Sequence, residues 1–125
     1  MNEEQINNIV AGLLKKTSEG KAVWMQGSAR NQYKIQFNKG AIVVTKYKKE
    51  ANGSLVIDFN IMNEKGDSIF MKKVNELAYE FVYYNELFET VNKKYFRIDE
   101  TLEDIIKAIN GNDEIGRDTS NDLPF

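Results

Sequence analysis

In the stretch Tyr33-Lys34-Ile35-Gln36-Phe37-Asn38-Lys39-Gly40-Ala41-Ile42-Val43-Val44-Thr45, apolar Tyr33, Ile35 and Phe37 alternate with polar Lys34, Gln36 and Asn38. A period of two sends alternate side chains to opposite faces of a strand, so this segment has one apolar face. Asn38-Lys39-Gly40 then offers residues that tolerate positive φ, and the run from Ala41 to Lys49 is rich in β-branched and aromatic residues. Strand, tight turn and strand make a hairpin.

Working outward, Leu55, Ile57, Phe59 and Ile61 alternate with Val56, Asp58, Asn60 and Met62, and Ser68 to Val74 again favours a strand. Asn52-Gly53 and Lys65-Gly66-Asp67 fall where the chain must reverse. Ala22 to Gln26 is a weaker strand candidate. The middle of the chain therefore predicts an antiparallel meander of four or five strands.

On either side the period becomes helical. Ile6, Ile9, Val10, Leu13 and Leu14 predict an amphipathic helix over residues 3–17, closed by Glu19-Gly20. From Asn75, Leu77, Phe81, Tyr84, Phe88 and Val91 step by four and three, with Ala78, Val82 and Leu87 widening the face. A last helix takes Asp99 as its N-cap, acids Glu100, Glu103 and Asp104 in its first turns, and Leu102, Ile105, Ile106 and Ile109 facing inward. The expected architecture is a two-layer α+β domain over residues 1–110, with an N-terminal helix, a meander sheet and two C-terminal helices. Residues 111–125 lack periodicity and predict a flexible acidic tail.

The 125 residues contain no His and no Cys. This removes disulfides, thiolate nucleophiles, imidazole acid–base catalysis and zinc sites built on either residue. Acid clusters at Asp99, Glu100, Glu103 and Asp104, or at Asp58, Glu64 and Asp67, read as helix-terminus and turn chemistry rather than metal ligands. There is no Walker loop and no Gly-x-Gly-x-x-Gly motif. The expectation is a binding protein rather than an enzyme, with no cofactor and no metal. The first residues lack the basic and apolar pattern of a signal peptide, and no apolar run is long enough to span a bilayer. A cytoplasmic location without a membrane partner is expected.

Net charge is −2, but it is unevenly placed. Residues 21–73 hold ten bases against four acids, residues 74–110 four bases against eight acids, and residues 111–125 one base against four acids. A basic sheet thus adjoins acidic helices and an acidic tail. The basic segment also holds Trp24, Tyr47 and Phe70, whose strand faces the sequence leaves open. Lysines that neutralise phosphates, beside aromatic rings that stack on bases, are the ingredients of single-stranded nucleic-acid binding. Lys34, Lys46, Lys48 and Lys72, with Trp24, Tyr47 and Phe70, are the candidate nucleic-acid-binding residues. Lys34 with Gln36 on one strand, and Lys46 with Lys48 on its neighbour, would line one sheet surface. Edge lysines that block aggregation are the competing explanation.

The chain ends Asn121-Asp122-Leu123-Pro124-Phe125, which contains its only proline. A terminal Phe offers a ring to an apolar pocket and a carboxylate to a basic rim, and the proline stiffens the approach. This tip resembles the acidic C-terminal end of bacterial single-stranded DNA-binding proteins; the resemblance covers these residues alone. It implies single-stranded DNA as a ligand, with replication and recombination proteins recruited through Asp122, Leu123, Pro124 and Phe125. A meander followed by helices is similar, at the level of fold, to the whirly class of single-stranded DNA binders. The alternative is a small interaction or inhibitor protein, of the kind phages encode, that occupies a host protein. A sheet face or edge left open in so small a domain leaves room for a homo-oligomer.

Overall fold

A computed structural model describes residues 1–116. Helix α1 (Glu3–Ser18) leads into strands β1 (Met25–Gln26), β2 (Gln32–Phe37), β3 (Gly40–Lys48), β4 (Leu55–Asn63) and β5 (Ser68–Asn75), followed by α2 (Phe81–Phe96) and α3 (Ile98–Asn110). The five strands form one antiparallel sheet in sequence order, so every connection is local. No described helix is long and apolar enough to cross a membrane.

Helix α1 starts where the chemistry of Asn2 allows. Its side chain accepts from the Gln5 backbone N–H at 2.8 Å, while Gln5 Oε1 accepts from the Asn2 N–H at 3.0 Å, a reciprocal capping box. In the β3–β4 and β4–β5 turns, Gly53 and Gly66 take φ values of 70° and 86°, the conformation expected of them. Gly40 does not: it opens β3 with no positive φ. Glycine is needed there because a Cβ would collide with the Met62 carbonyl oxygen on β4. Close strand approach, not turn geometry, excludes a side chain.

Register assigns each strand residue to a face. Tyr33 lies opposite Val44, Val44 opposite Phe59, Ile42 opposite Ile61, and Ile57 opposite both Lys46 and Val74. These residues share one parity, and the strand members of the main hydrophobic cluster come from it, although Ala41 and Val56 on the other parity are buried too. Helices α1 and α2 cover this face through Ile6, Val10, Leu13, Tyr84, Leu87, Phe88 and Val91, all buried. Phe59, Ile57, Leu87 and Val44 are fully enclosed, and burial of each such side chain contributes about 1.5–3 kcal/mol. Tyr33 bridges the layers: its ring packs 5.6 Å from Phe88 and 5.3 Å from Tyr95, and its hydroxyl donates to Asn92 at 2.5 Å.

Two helical expectations are corrected. Asn75 ends β5 and residues 76–80 form turns rather than helix, so Leu77 is 89% exposed, and Val82 lies outside the buried stripe at 66%. In α3 the N-cap position belongs to Arg97, held in the left-handed region at φ 53°, and Asp99 sits inside the first turn. None of Leu102, Ile105, Ile106 and Ile109 faces a core; each is about half exposed. The periodicity was that of an amphipathic helix, but the sheet face is already filled by α1 and α2.

Candidate nucleic-acid interface

The antiparallel register separates the predicted lysines. Lys34 pairs with Val43 and Met25 across its strand neighbours, while Lys46 pairs with Ile57 and Lys72 with Phe59. Lys34 therefore occupies the face away from the helices, and Lys46 and Lys72 project beneath them. The expectation that Lys34 and Lys46 line one surface is corrected: strands β2 and β3 present them on opposite sides. Lys48 has the parity of Lys46 but is exposed at the end of β3.

Beneath the helices the two lysines are neutralised. Lys46 Nζ donates to Glu89 Oε1 and to Asn85 Oδ1, each at 2.7 Å, and lies 5.6 Å from the Phe88 ring centroid. Lys72 is ion-paired with Glu80 and approaches the Tyr84 ring. The hydrogen bond to Glu80 holds the Lys72 ammonium above the usual lysine range. Burial pushes the Tyr84 hydroxyl up. These charges tie the acidic helices to the basic sheet.

Trp24 and Phe70 also belong to the covered side. Trp24 is buried, and its indole Nε1 donates to Thr17 Oγ1 at 3.0 Å, while the Thr17 hydroxyl donates to the Leu13 carbonyl at 2.6 Å. Phe70 is half-buried against the core. In this arrangement the Trp24 ring is enclosed in the core, while the Phe70 ring stays partly exposed. Among the three aromatic candidates, Tyr47 alone lies on the outer face, in register with Val56.

On the outer face Ala41 and Val56 are buried, while Met25 and Met71 are about half exposed. Along its rows stand Met25, Lys34, Val43, Asn60 and Met71, then Gln32, Thr45, Asp58 and Lys73, then Tyr47, Val56 and Asn75. Lys73 Nζ lies 3.1 Å from Asp58 Oδ2 and 5.9 Å from the Tyr47 ring centroid, and the Tyr47 hydroxyl donates to Asp58 Oδ1 at 3.3 Å. The hydrogen bond to Asp58 raises the Lys73 pKa. Lys34 makes no ion pair among the described residues, and Gln32 Nε2 donates to Thr45 Oγ1 at 3.0 Å. The face thus carries two cations, one acid, a phenol ring and several amides.

Lys73, not a candidate by residue type, stands on the outer face where its neighbour Lys72 does not. The alternation Phe70-Lys72-Val74 gives the signal: if Val74 points inward, so does Lys72, and Lys73 points out. Asp122, Leu123, Pro124 and Phe125 lie outside the described residues. Comparison of the chain with protein-family models, curated proteins and solved structures finds no match in any of the three.

Proposed function

We propose that the protein binds single-stranded DNA across the outer face of its sheet and recruits replication or recombination proteins through its C-terminal tip. The observation that carries the reading is the sheet face opposite helices α1 and α2, on which Lys34, Lys73 and Tyr47 stand among hydrogen-bonding amides. Lys34 and Lys73 would neutralise phosphates, with Lys73 exchanging Asp58 for the nucleic acid. Tyr47 would supply a stacking platform, and Gln32 and Asn60 would hydrogen-bond base edges. Helices α1 and α2, which cover the other side of the sheet, each balance two acids with two lysines.

The test is fluorescence anisotropy of a labelled oligo-dT against the full chain over a salt series. Affinity should fall as salt rises, by a log–log slope of about −0.7 per phosphate neutralised, and Lys34→Ala should make that slope shallower. Tyr47→Ala should weaken binding by about 1–3 kcal/mol per stacked base. Absence of binding at low salt overturns the reading, and a salt-independent affinity overturns the phosphate mechanism. Deleting Asp122 to Phe125 should leave DNA affinity intact or improved while abolishing capture of replication or recombination proteins.

A further inference from the structure

Two unfilled apolar surfaces on this chain are complementary in charge. The first is α3, whose Leu102, Ile105, Ile106 and Ile109 are 47–60% exposed and which has no buried residue. A helix of 13 residues is too short to be stable in water by itself, so an amphipathic one of this length calls for a surface to lie on. Its remaining face carries Asp99, Glu100, Glu103 and Asp104 against Lys107 alone. The second is a groove at the hairpin end of the covered sheet face, where the α1 layer stops short of the strands. Leu13, Phe37, Ile61 and Ile69 are among its apolar lining. Its charged residues are Lys15, Lys16, Lys21 and Lys39 against Glu19, so cations predominate around it as acids do on α3.

Two details fit a helix as the occupant. Gly12 forms part of the groove wall in the middle of α1, where glycine weakens a helix, and a Cβ there would meet nothing within 4 Å. That open space lets a second helix approach closely. At the other end, α3 is separated from α2 by the single residue Arg97 in the left-handed conformation, so the helix leaves the body of the domain at a sharp turn.

The geometry points to reciprocal exchange: α3 of each of two copies seats its isoleucine face in the lysine-rimmed groove of the other, forming a closed two-fold dimer. The acids flanking the α3 stripe meet the groove lysines and set the helix orientation. This association needs no nucleic acid and uses none of the outer-face residues Lys34, Lys73 and Tyr47, so it stands or falls apart from DNA binding.

Sedimentation of the full chain over a concentration series, without DNA, tests it. The expected result is a mass rising from 14.4 kDa to twice that value and no further. Gly12→Glu, whose Cβ would meet nothing within 4 Å in the monomer, should leave the circular dichroism spectrum folded and abolish dimerisation. The pair Lys15→Glu with Lys16→Glu, and separately the pair Glu103→Lys with Asp104→Lys, should each weaken self-association about tenfold or more. Mixing the two charge-reversed proteins should restore a heterodimer, because each helix then finds a groove of opposite sign. A wild-type chain that stays monomeric throughout overturns the proposal, as does a mass beyond two copies. So does a dimer that survives Gly12→Glu, or a mixture that fails to recover association.

Discussion

Trp24 and Thr17 are joined by a buried hydrogen bond, indole Nε1 to Oγ1 at 3.0 Å, that ties the segment before β1 to the last turn of α1. The Thr17 hydroxyl in turn donates a hydrogen bond to the Leu13 carbonyl, so both polar groups are satisfied inside the core. Thr17→Val keeps the shape and removes the acceptor, leaving the indole N–H unpaired. A loss of about 1–3 kcal/mol is expected in urea unfolding. Thr17→Ser should retain most of the stability, and Trp24→Phe with Thr17→Val should lose less than the two single changes added together.

Lys46 is a fastening between sheet and helix. Lys46→Met removes the bonds to Glu89 and Asn85 but keeps the aliphatic stem over Phe88. Because Glu89 is 45% exposed, the expected loss is about 1 kcal/mol, shrinking as salt is added. Oligo-dT affinity should be unchanged by this substitution, in contrast to Lys34→Ala. Equal effects of the two lysines on DNA affinity would contradict the division of labour between the faces.

Alkaline pH should unfold the domain through the Lys72–Tyr84 region. The hydrogen bond to Glu80 raises the Lys72 pKa, and burial raises that of Tyr84, so the folded state holds both protons more tightly than the unfolded chain. Their contribution is intact below the ordinary lysine and tyrosine values, about pH 10, and is lost as pH rises through the folded values. Urea midpoints should be flat across neutral pH and fall above about pH 10. Tyr84→Phe, which removes one titrating group, should make that fall shallower.

Gly40→Ala should destabilise the sheet by about 1–3 kcal/mol, because the added methyl meets the Met62 carbonyl oxygen and β3 cannot shift without disturbing its pairing with β4. Gly53→Asn is the comparison. Gly53 has a left-handed φ of 70° and open space around it, and asparagine tolerates that conformation. Its cost should be well below that of Gly40→Ala in the same unfolding measurement.

The fold was legible where periodicity is strict. Tyr33 to Phe37 and Ile57 to Ile61 alternate cleanly, Gly53 and Gly66 mark real turns, and Ile6 to Leu14 keep one helical face. Legibility fell at Ser68 to Asn75, where exposed Ile69 and Met71 are as apolar as half-buried Phe70 and only Val74 settles the parity. It also fell at Leu77, where apolar spacing continued from the next helix into a turn. Of the outer-face residues in the proposed interface, Lys34 and Tyr47 are suggested by residue type alone, whereas Lys73 depends on which way Val74 points.

The amino-acid sequence determined the order of helix, meander and helices, because local hydrophobic period and turn chemistry act over a few residues. It also determined the absence of histidine and cysteine chemistry and the split of charge between segments. Tertiary structure decided which side of the sheet each charge serves. Strand pairing set Lys34 and Lys46 on opposite faces, and the finite width of the sheet let α1 and α2 cover it while leaving α3 with no core to join. Side chains far apart in the chain compete for one buried surface, and that competition is settled only when the layers pack.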